Sequence, residues 1–357
     1  MPTLIHATRR AVDHRVNLSS NELLSRSLPA VHAAAAAGLT SALLSRYPVS
    51  TETASRLAEY FGAGPDELLM TPGSDAALRH ICAFHARGGG TTILSQDPNY
   101  AAWDQAAGSL GLTLRPARAD RADPAVQGKD LKRLAESTSG ALIAVSVPNG
   151  FSGGCVEDAD LDELAAIAAE RGHLLVIDAC YQAFNGPLTA QFARRGGPVL
   201  VVQSLSKSHG LAGARIAVLG GDAALIARLE AGPLENAVSG AAFLAAHTAL
   251  DHHDALAAIW AETCRTREHC AERLRRAGLS PLPSSANFVS VPVGTEAQAA
   301  AVVQLVSEAG YRIRDLSPLP GLGGCVRFTV ADPETADAFL DALERAVTRI
   351  KEAPTCR

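Results

Sequence analysis

Three short runs, ALIAVSV (141–147), LLVID (174–178) and VLVV (199–202), are apolar at successive positions rather than at alternate ones. A strand with one face in water alternates; one apolar on both faces must be covered on both, as in a parallel sheet layered between helices. Segments with helical periodicity separate these runs. The reading is a helix over 51–61, a strand over 67–71, a helix over 74–86, a strand over 91–95 and a helix over 100–110. It continues with a strand over 113–116, a helix over 131–136, the run 141–147, a helix over 160–171, the run from 173, and strands over 199–202 and 216–219. Such alternation predicts an α/β layer architecture.

The texture changes near residue 235. Two long helices are expected over 239–251 and 255–276. After them come a strand over 287–291, a helix over 296–308, strands over 312–315 and 325–330, and a helix over 336–351, the pattern of a smaller α+β unit. The alanine-rich stretch 32–38 reads as a helical turn. A chain of 357 residues is long enough for two such units. The expected division is a large domain over 40–235 and a small one from 1–39 with 236–357, the first residues forming an arm.

The balance of residues is that of a globular protein, 47% hydrophobic and 19% charged, with net charge −5. That charge speaks against nucleic-acid or anionic-membrane partners. No run of 18 apolar residues and no apolar signal core is present, so a cytoplasmic protein is expected. The seven cysteines are odd in number and lack CxxC spacing, so neither a disulfide framework nor a zinc site is indicated. No metal is expected.

The string SLSKSHGLAGAR (204–215) comes just after the apolar run VLVV. It sets Lys207 among Ser204, Ser206 and Ser208, with Arg215 beyond. A lysine among short hydroxyl donors suits an aldehyde cofactor that carries a phosphate. The amine forms a Schiff base while the hydroxyls and the arginine hold the phosphate, which points to pyridoxal phosphate. The same string would also suit a solvated surface lysine.

Four further places bear on the choice. In TPGSD (71–75), Gly73 permits a tight turn, and the amides of Ser74 and Asp75 open a helix whose N-terminus can hold a phosphate; a plain N-cap is the alternative. Asp178 ends an apolar strand, where open α/β sheets bind ligands, and could pair with a pyridine nitrogen or simply cap the next element. Tyr181, three residues on, could donate to a ring hydroxyl. Tyr100 after DPN could stack on the ring or pack in the core. Arg327 sits inside the apolar strand CVRFTV, which is costly unless it meets an anion, either a substrate carboxylate or an internal ion pair. Arg314 in RIRDL is a second candidate for that pocket.

Taken together, VNLSSNE (16–22), RYP (46–48), PGSDAAL, DPNYAAW, VIDACYQAF, SLSKSHGLAGAR, SANFVSV, RIRDL and CVRFTV resemble the class I/II aminotransferases of fold type I, and most closely the histidinol-phosphate aminotransferase branch. The resemblance spans nearly the whole chain. It implies a mostly parallel central sheet with helices on both faces, a smaller α+β domain, and pyridoxal phosphate. By motif, Lys207 would be the Schiff-base lysine and proton shuttle, with Asp178 and Tyr181 as its catalytic companions at the ring nitrogen and ring hydroxyl. Gly73, Ser74, Asp75, Ser204, Ser206 and Arg215 would serve the phosphate, and Tyr100 would stack. Tyr47 would reach the phosphate of a neighbouring subunit, implying a homodimer. Arg327 would bind the substrate carboxylate, with Arg314 and Asn21 beside it.

One segment departs from the family. Where the family has Pro-Asn-Asn-Pro-Thr-Gly, this chain has Pro148-Asn149-Gly150-Phe151-Ser152-Gly153. The donor to the ring hydroxyl is thereby replaced by Gly150, and Asn149 is left to supply that bond if it shifts. The strand CVRFTV is succeeded by Ala-Asp-Pro rather than glycine. The implied activity is amino transfer between an L-amino acid and a 2-keto acid, in specialised metabolism rather than histidine biosynthesis. A decarboxylase, eliminase or cyclase on the same scaffold is the alternative.

Overall fold

The structure is a computed structural model that describes residues 15–118, 123–230 and 237–352. Its strands in chain order are β1 (Val16–Asn17), β2 (Leu68–Thr71), β3 (Thr92–Asp97), β4 (Thr113–Arg118), β5 (Leu142–Ser146) and β6 (Leu174–Asp178). They continue with β7 (Val199–Ser204), β8 (Ala217–Gly220), β9 (Phe288–Pro292), β10 (Tyr311–Arg312), β11 (Arg314–Asp315) and β12 (Cys325–Thr329). Seven of them form the main sheet in the order β2-β8-β7-β6-β5-β3-β4. All pair in parallel except β8, which is antiparallel to both its neighbours.

The doubly apolar runs behave as their composition demands. Along β5, Ile143 and Val145 enter one core while Leu142 and Ala144 enter another, and β6 and β7 divide in the same way. The first core is closed by helices that include Thr51–Tyr60, Asp158–Arg171 and His253–Arg276, the second by Ser74–Arg87, Ala102–Leu110 and Ala223–Glu230. Both faces are therefore dry, and the open edge at the strand C-termini is left for chemistry.

A second sheet, β11-β12-β9, is antiparallel and has its own core with the helices Glu296–Glu308 and Pro333–Glu352. Strand β1 pairs with β10, so the arm is stitched onto this unit.

Three elements differ from expectation. The strand expected over 312–315 is two: the chain pairs with β1 through Arg312, buries Ile313, then pairs with β12 from Arg314. The helix expected from 131 begins at Pro124, where Asp123 accepts from the Ala125 amide and the proline sits in the first turn, where its missing N–H costs nothing. The alanine-rich stretch belongs to a full helix, Leu28–Ala37, not a single turn.

Candidate active site

The strands β2, β6 and β7 end along one edge, in register: Thr71 lies beside Ala217, which lies beside Ser204, and Val202 beside Asp178. The segments just beyond these strand ends make the site. After β2 the chain turns through Gly73 at φ 86° into the helix Ser74–Arg87. A Cβ at Gly73 would lie 2.6 Å from Arg215 Nη2, so the glycine lets this guanidinium close on the helix N-terminus. Arg215, itself in the left-handed region at φ 57°, donates to Asp75 Oδ2 at 3.1 Å, and the Tyr100 hydroxyl donates to Asp75 Oδ1 at 2.7 Å. Tyr100 is thus no core residue; it is 41% exposed at the mouth of the edge.

Asp178 is buried at the end of β6 and accepts from the Cys180 amide at 3.1 Å. Loss of water raises its carboxyl above the usual range, opposed by the hydrogen bonds from Cys180. It has no cationic partner among the described residues. The Cys180 thiol lies between Asp178 and Ser74, and burial pushes it well up.

Lys207 stands on a short helix, Leu205–Ser208, rather than in an open loop. Ser204 caps it, its hydroxyl accepting from the Ser206 amide at 3.1 Å. The Lys207 ammonium donates to the Ser20 carbonyl at 2.7 Å and has no carboxylate partner among the described residues. Burial, and then the charge of Arg327, lower its pKa to about 8, so near neutrality it gives up a proton far more readily than a solvated lysine.

Arg327 crosses to this edge from β12. It is 5% exposed and donates to the Gly150 carbonyl at 2.5 Å and the Ser19 carbonyl at 2.9 Å, with its Nε unpartnered. Phe288 and Phe151 cover it, their ring centres 5.1 and 5.7 Å from the guanidinium carbon. Burial lowers its pKa to about 10. The alternative of an internal ion pair is thus not what the structure shows: no carboxylate among the described residues meets this cation. Arg314 lies directly opposite on β11, and the two like charges oppose each other. A buried cation with a half-buried one opposite it, and no carboxylate among the described residues on the buried one, suits an anion.

The arm completes the enclosure. Asn21, buried and at φ 52°, donates from Nδ2 to the Tyr181 hydroxyl at 2.9 Å. Its amide donates to Thr329 Oγ1 and its carbonyl accepts from Asn287 Nδ2. Burial raises the Tyr181 phenol while Arg327 draws it down.

Asn149 does not turn toward these groups. Its Nδ2 donates to the Pro98 carbonyl at 3.0 Å, and its Oδ1 accepts from the amides of Phe151 and Ser152. Asn149 therefore braces its own loop. A Cβ on Gly150 would lie 3.5–3.7 Å from Tyr181, so the position where the family carries its donor does adjoin the phenol. Tyr47 is 85% exposed, and its chain neighbours Val49 and Leu44 are 84% and 68% exposed.

The sequence does not reveal Ser19 and Ser20, which act through carbonyls. Their only signal is adjacency to Asn21. Cys180 and His209 do carry a signal, since they lie inside VIDACYQAF and SLSKSHG, but residue type alone gives neither of them a role.

A doubly covered sheet with a helix N-terminus, a buried carboxylate, a lysine of lowered pKa and a buried arginine that meets no carboxylate among the described residues, all around one edge, is the arrangement an enzyme of the pyridoxal phosphate class requires. The model of class I and II aminotransferases matches residues 13–343, and the chain belongs to that family. It is similar to the histidinol-phosphate aminotransferase of Haloquadratum walsbyi, 28% identical over 96% of this chain and 89% of that one. The Pseudomonas entomophila enzyme of the same name is 29% identical over 83% of each. Among solved structures, an aminotransferase of Burkholderia pseudomallei superposes with TM-score 0.77 at 27% identity, over 94% of this chain and 100% of that one. The Sinorhizobium meliloti histidinol-phosphate aminotransferase, in complex with pyridoxal 5'-phosphate, shares the fold at TM-score 0.79 and 22% identity, over 95% and 92%. So does the L-threonine-O-3-phosphate decarboxylase of Porphyromonas gingivalis, at 0.76 and 22%, over 93% and 99%. The protein is a pyridoxal phosphate-dependent aminotransferase.

Proposed function

We propose that this enzyme moves an amino group between an L-amino acid and a 2-keto acid, with Lys207 as the residue that holds the cofactor and handles the α-proton. The observation that carries this reading is the set of unsatisfied charges around one edge: a lysine on a bare carbonyl, a buried carboxylate with no cation among the described residues, and a buried arginine with no anion among them. The residues fit pyridoxal phosphate. Ser74, Asp75, Ser204, Ser206, Gly73 and Arg215 are the groups we assign to its phosphate, Asp178 to its ring nitrogen and Tyr181, poised by Asn21, to its ring hydroxyl. Tyr100 would cover the ring face. Asn149 supports the loop beneath rather than the cofactor itself.

When bound, pyridoxal phosphate supplies an aldehyde that captures amines and a cationic ring that spreads the electron pair left at the substrate α-carbon. The chain's own residues do the rest. Asp178 would hold the ring nitrogen's proton and so keep the ring cationic. Lys207 Nζ would take the α-proton and give it up on the other side of the transferred nitrogen, a task that suits a buried amine of lowered pKa. Arg327 grips the α-carboxylate through its planar fork, and Arg314 adds a second cation for an anionic side chain or carboxylate. Phe151 and Phe288 exclude water around that grip.

A second reading keeps the same residues but breaks a different bond, as in decarboxylation. Gly150, in place of the family's donor, motivates it. Two copies are proposed to pair through the face bearing Leu44, Tyr47 and Val49, each lending Tyr47 to its partner's phosphate site; residues 40–235 would form the cofactor domain.

The test is a half-reaction panel. The holoenzyme is mixed with single amino acids, without keto acid. Stoichiometric pyridoxamine phosphate and keto acid support amino transfer. Carbon dioxide with regenerated pyridoxal phosphate, or no reaction with any amino acid, contradicts it.

A further inference from the structure

Behind the lysine helix lies a buried polar cluster that the chemistry above does not use. His209 is wholly buried and closes the helix Leu205–Ser208, its amide donating to the Leu205 carbonyl at 3.1 Å. Its Nδ1 lies 2.7 Å from Ser208 Oγ, and its Nε2 lies 3.1 Å from the Tyr60 hydroxyl. That hydroxyl lies 2.8 Å from Nδ1 of His253, which is exposed. Ser208 Oγ donates to the Ser204 carbonyl at 3.3 Å, and Trp260 Nε1 donates to the Ser208 carbonyl. The four rings meet edge to face, with centroids 5.4–5.7 Å apart.

Each hydroxyl and each neutral imidazole has one proton to give. One assignment satisfies all four bonds. His253 Nδ1–H donates to Tyr60, the Tyr60 hydroxyl to His209 Nε2, His209 Nδ1–H to Ser208, and the Ser208 hydroxyl to Ser204. Run the other way, the Ser208 proton is spent on His209 and the Ser204 carbonyl loses its donor. Burial keeps His209 neutral, its pKa lowered to about 3, as a ring that must donate at one nitrogen and accept at the other. The chain of donors therefore points inward, from the surface to the residue that caps the lysine helix.

We propose that His209 is a positioning residue for Lys207: as the Nδ1–H tautomer, relayed from His253 through Tyr60, it locks Ser208 onto Ser204 and so fixes the turn that presents the lysine amine. The inference rests on Lys207 being the point of cofactor attachment.

Two measurements test it. In histidine-labelled holoenzyme, imidazole nitrogen NMR should show His209 as a neutral Nδ1–H ring, with the signal assigned by its loss in His209→Leu. A neutral Nε2–H ring overturns the relay. For kinetics, His209→Leu removes both ring bonds, whereas His209→Asn, of similar size, keeps a donor at the δ position. His209→Leu should lower kcat about tenfold with KM within about twofold, and should move the pH midpoint of the bound cofactor's absorbance by about half a unit or more. His209→Asn should recover most of both effects. Equal behaviour of the two variants, or a fall in Tm with an unmoved midpoint, reduces His209 to core packing. Should His209→Leu not fold, Tyr60→Phe keeps the ring and removes the relay's middle bond; a His209 tautomer unchanged in that variant contradicts the proposal. If borohydride does not trap cofactor on Lys207 in the unmodified enzyme, the attachment reading fails instead, while the tautomer result stands.

Discussion

The two halves of the site are built by different means. On the side we assign to the cofactor, Ser74, Asp178 and Lys207 each stand at or just past the C-terminal end of a strand in a sheet dry on both faces. On the side we assign to the substrate, Arg327 and Arg314 sit within strands, brought opposite each other by the register of β11 on β12. Asp75 and Asp178 are partnered by side chains and amides of the same edge, whereas Arg327 rests on backbone carbonyls from the arm and from the 149–153 loop. The arm also reaches Lys207 through the Ser20 carbonyl and Tyr181 through Asn21. A sheet edge can hold a constant cofactor in a constant way. The cross-strand pair and the arm, held by separate segments, can change with the substrate while the edge stays as it is.

Four substitutions break or sharpen that contrast, in order of effect. Arg327→Ala should lower kcat/KM about 10³-fold while the cofactor stays bound, since it removes a bidentate charged grip. Loss of its charge near Lys207 and Tyr181 should move the pH midpoint of the cofactor absorbance upward. Loss of bound cofactor along with the rate would merge the two halves. Asp178→Asn should lower kcat about 10²-fold and move the cofactor absorbance, with KM changed much less; an unmoved spectrum would detach Asp178 from the cofactor side. Asn21→Ala, which straddles both halves through Tyr181 and Thr329, should cost about tenfold in kcat/KM, with part of the loss in each parameter. Gly150→Asn has the smallest effect. Its Cβ meets Tyr181 at ordinary contact distance, so the protein should fold. The pH midpoint of cofactor absorbance should shift downward, because a new donor favours the ionised ring hydroxyl. No shift would mean that the 149–153 loop serves Arg327 alone.

The same division governs how much was legible in the sequence. The large sheet could be read because the runs 142–145, 174–177 and 199–202 in β5, β6 and β7 are apolar at every position, a pattern that permits burial on both faces and little else. Asp178 and Lys207 could be read because each stands just beyond such a run. Arg327 could be found as a charge out of place in CVRFTV, but not that no carboxylate among the described residues meets it. The carbonyls of Ser19, Ser20 and Gly150 left no trace, because any residue supplies a carbonyl and only the folded path aims it. Asn149 misleads for a related reason: its place in the motif suggests an amide facing the cofactor, whereas the turn through Gly150 and Ser152 claims its side chain. The Tyr60–His209–His253 cluster joins residues nearly two hundred positions apart, which no local pattern foretells. The split of 312–315 between two sheets is likewise a matter of partners.

The most direct test of the account is the pH dependence of covalent cofactor capture by the cofactor-free protein, read by borohydride trapping and peptide mapping. Capture needs the neutral amine, and burial lowers the Lys207 pKa to about 8. The captured fraction should map to Lys207 and vanish in Lys207→Ala. Its rate should climb about tenfold per pH unit below that value and level off above it. A rate still climbing at about pH 10, as for an unperturbed lysine near 10.4, or capture that survives Lys207→Ala, would contradict the account.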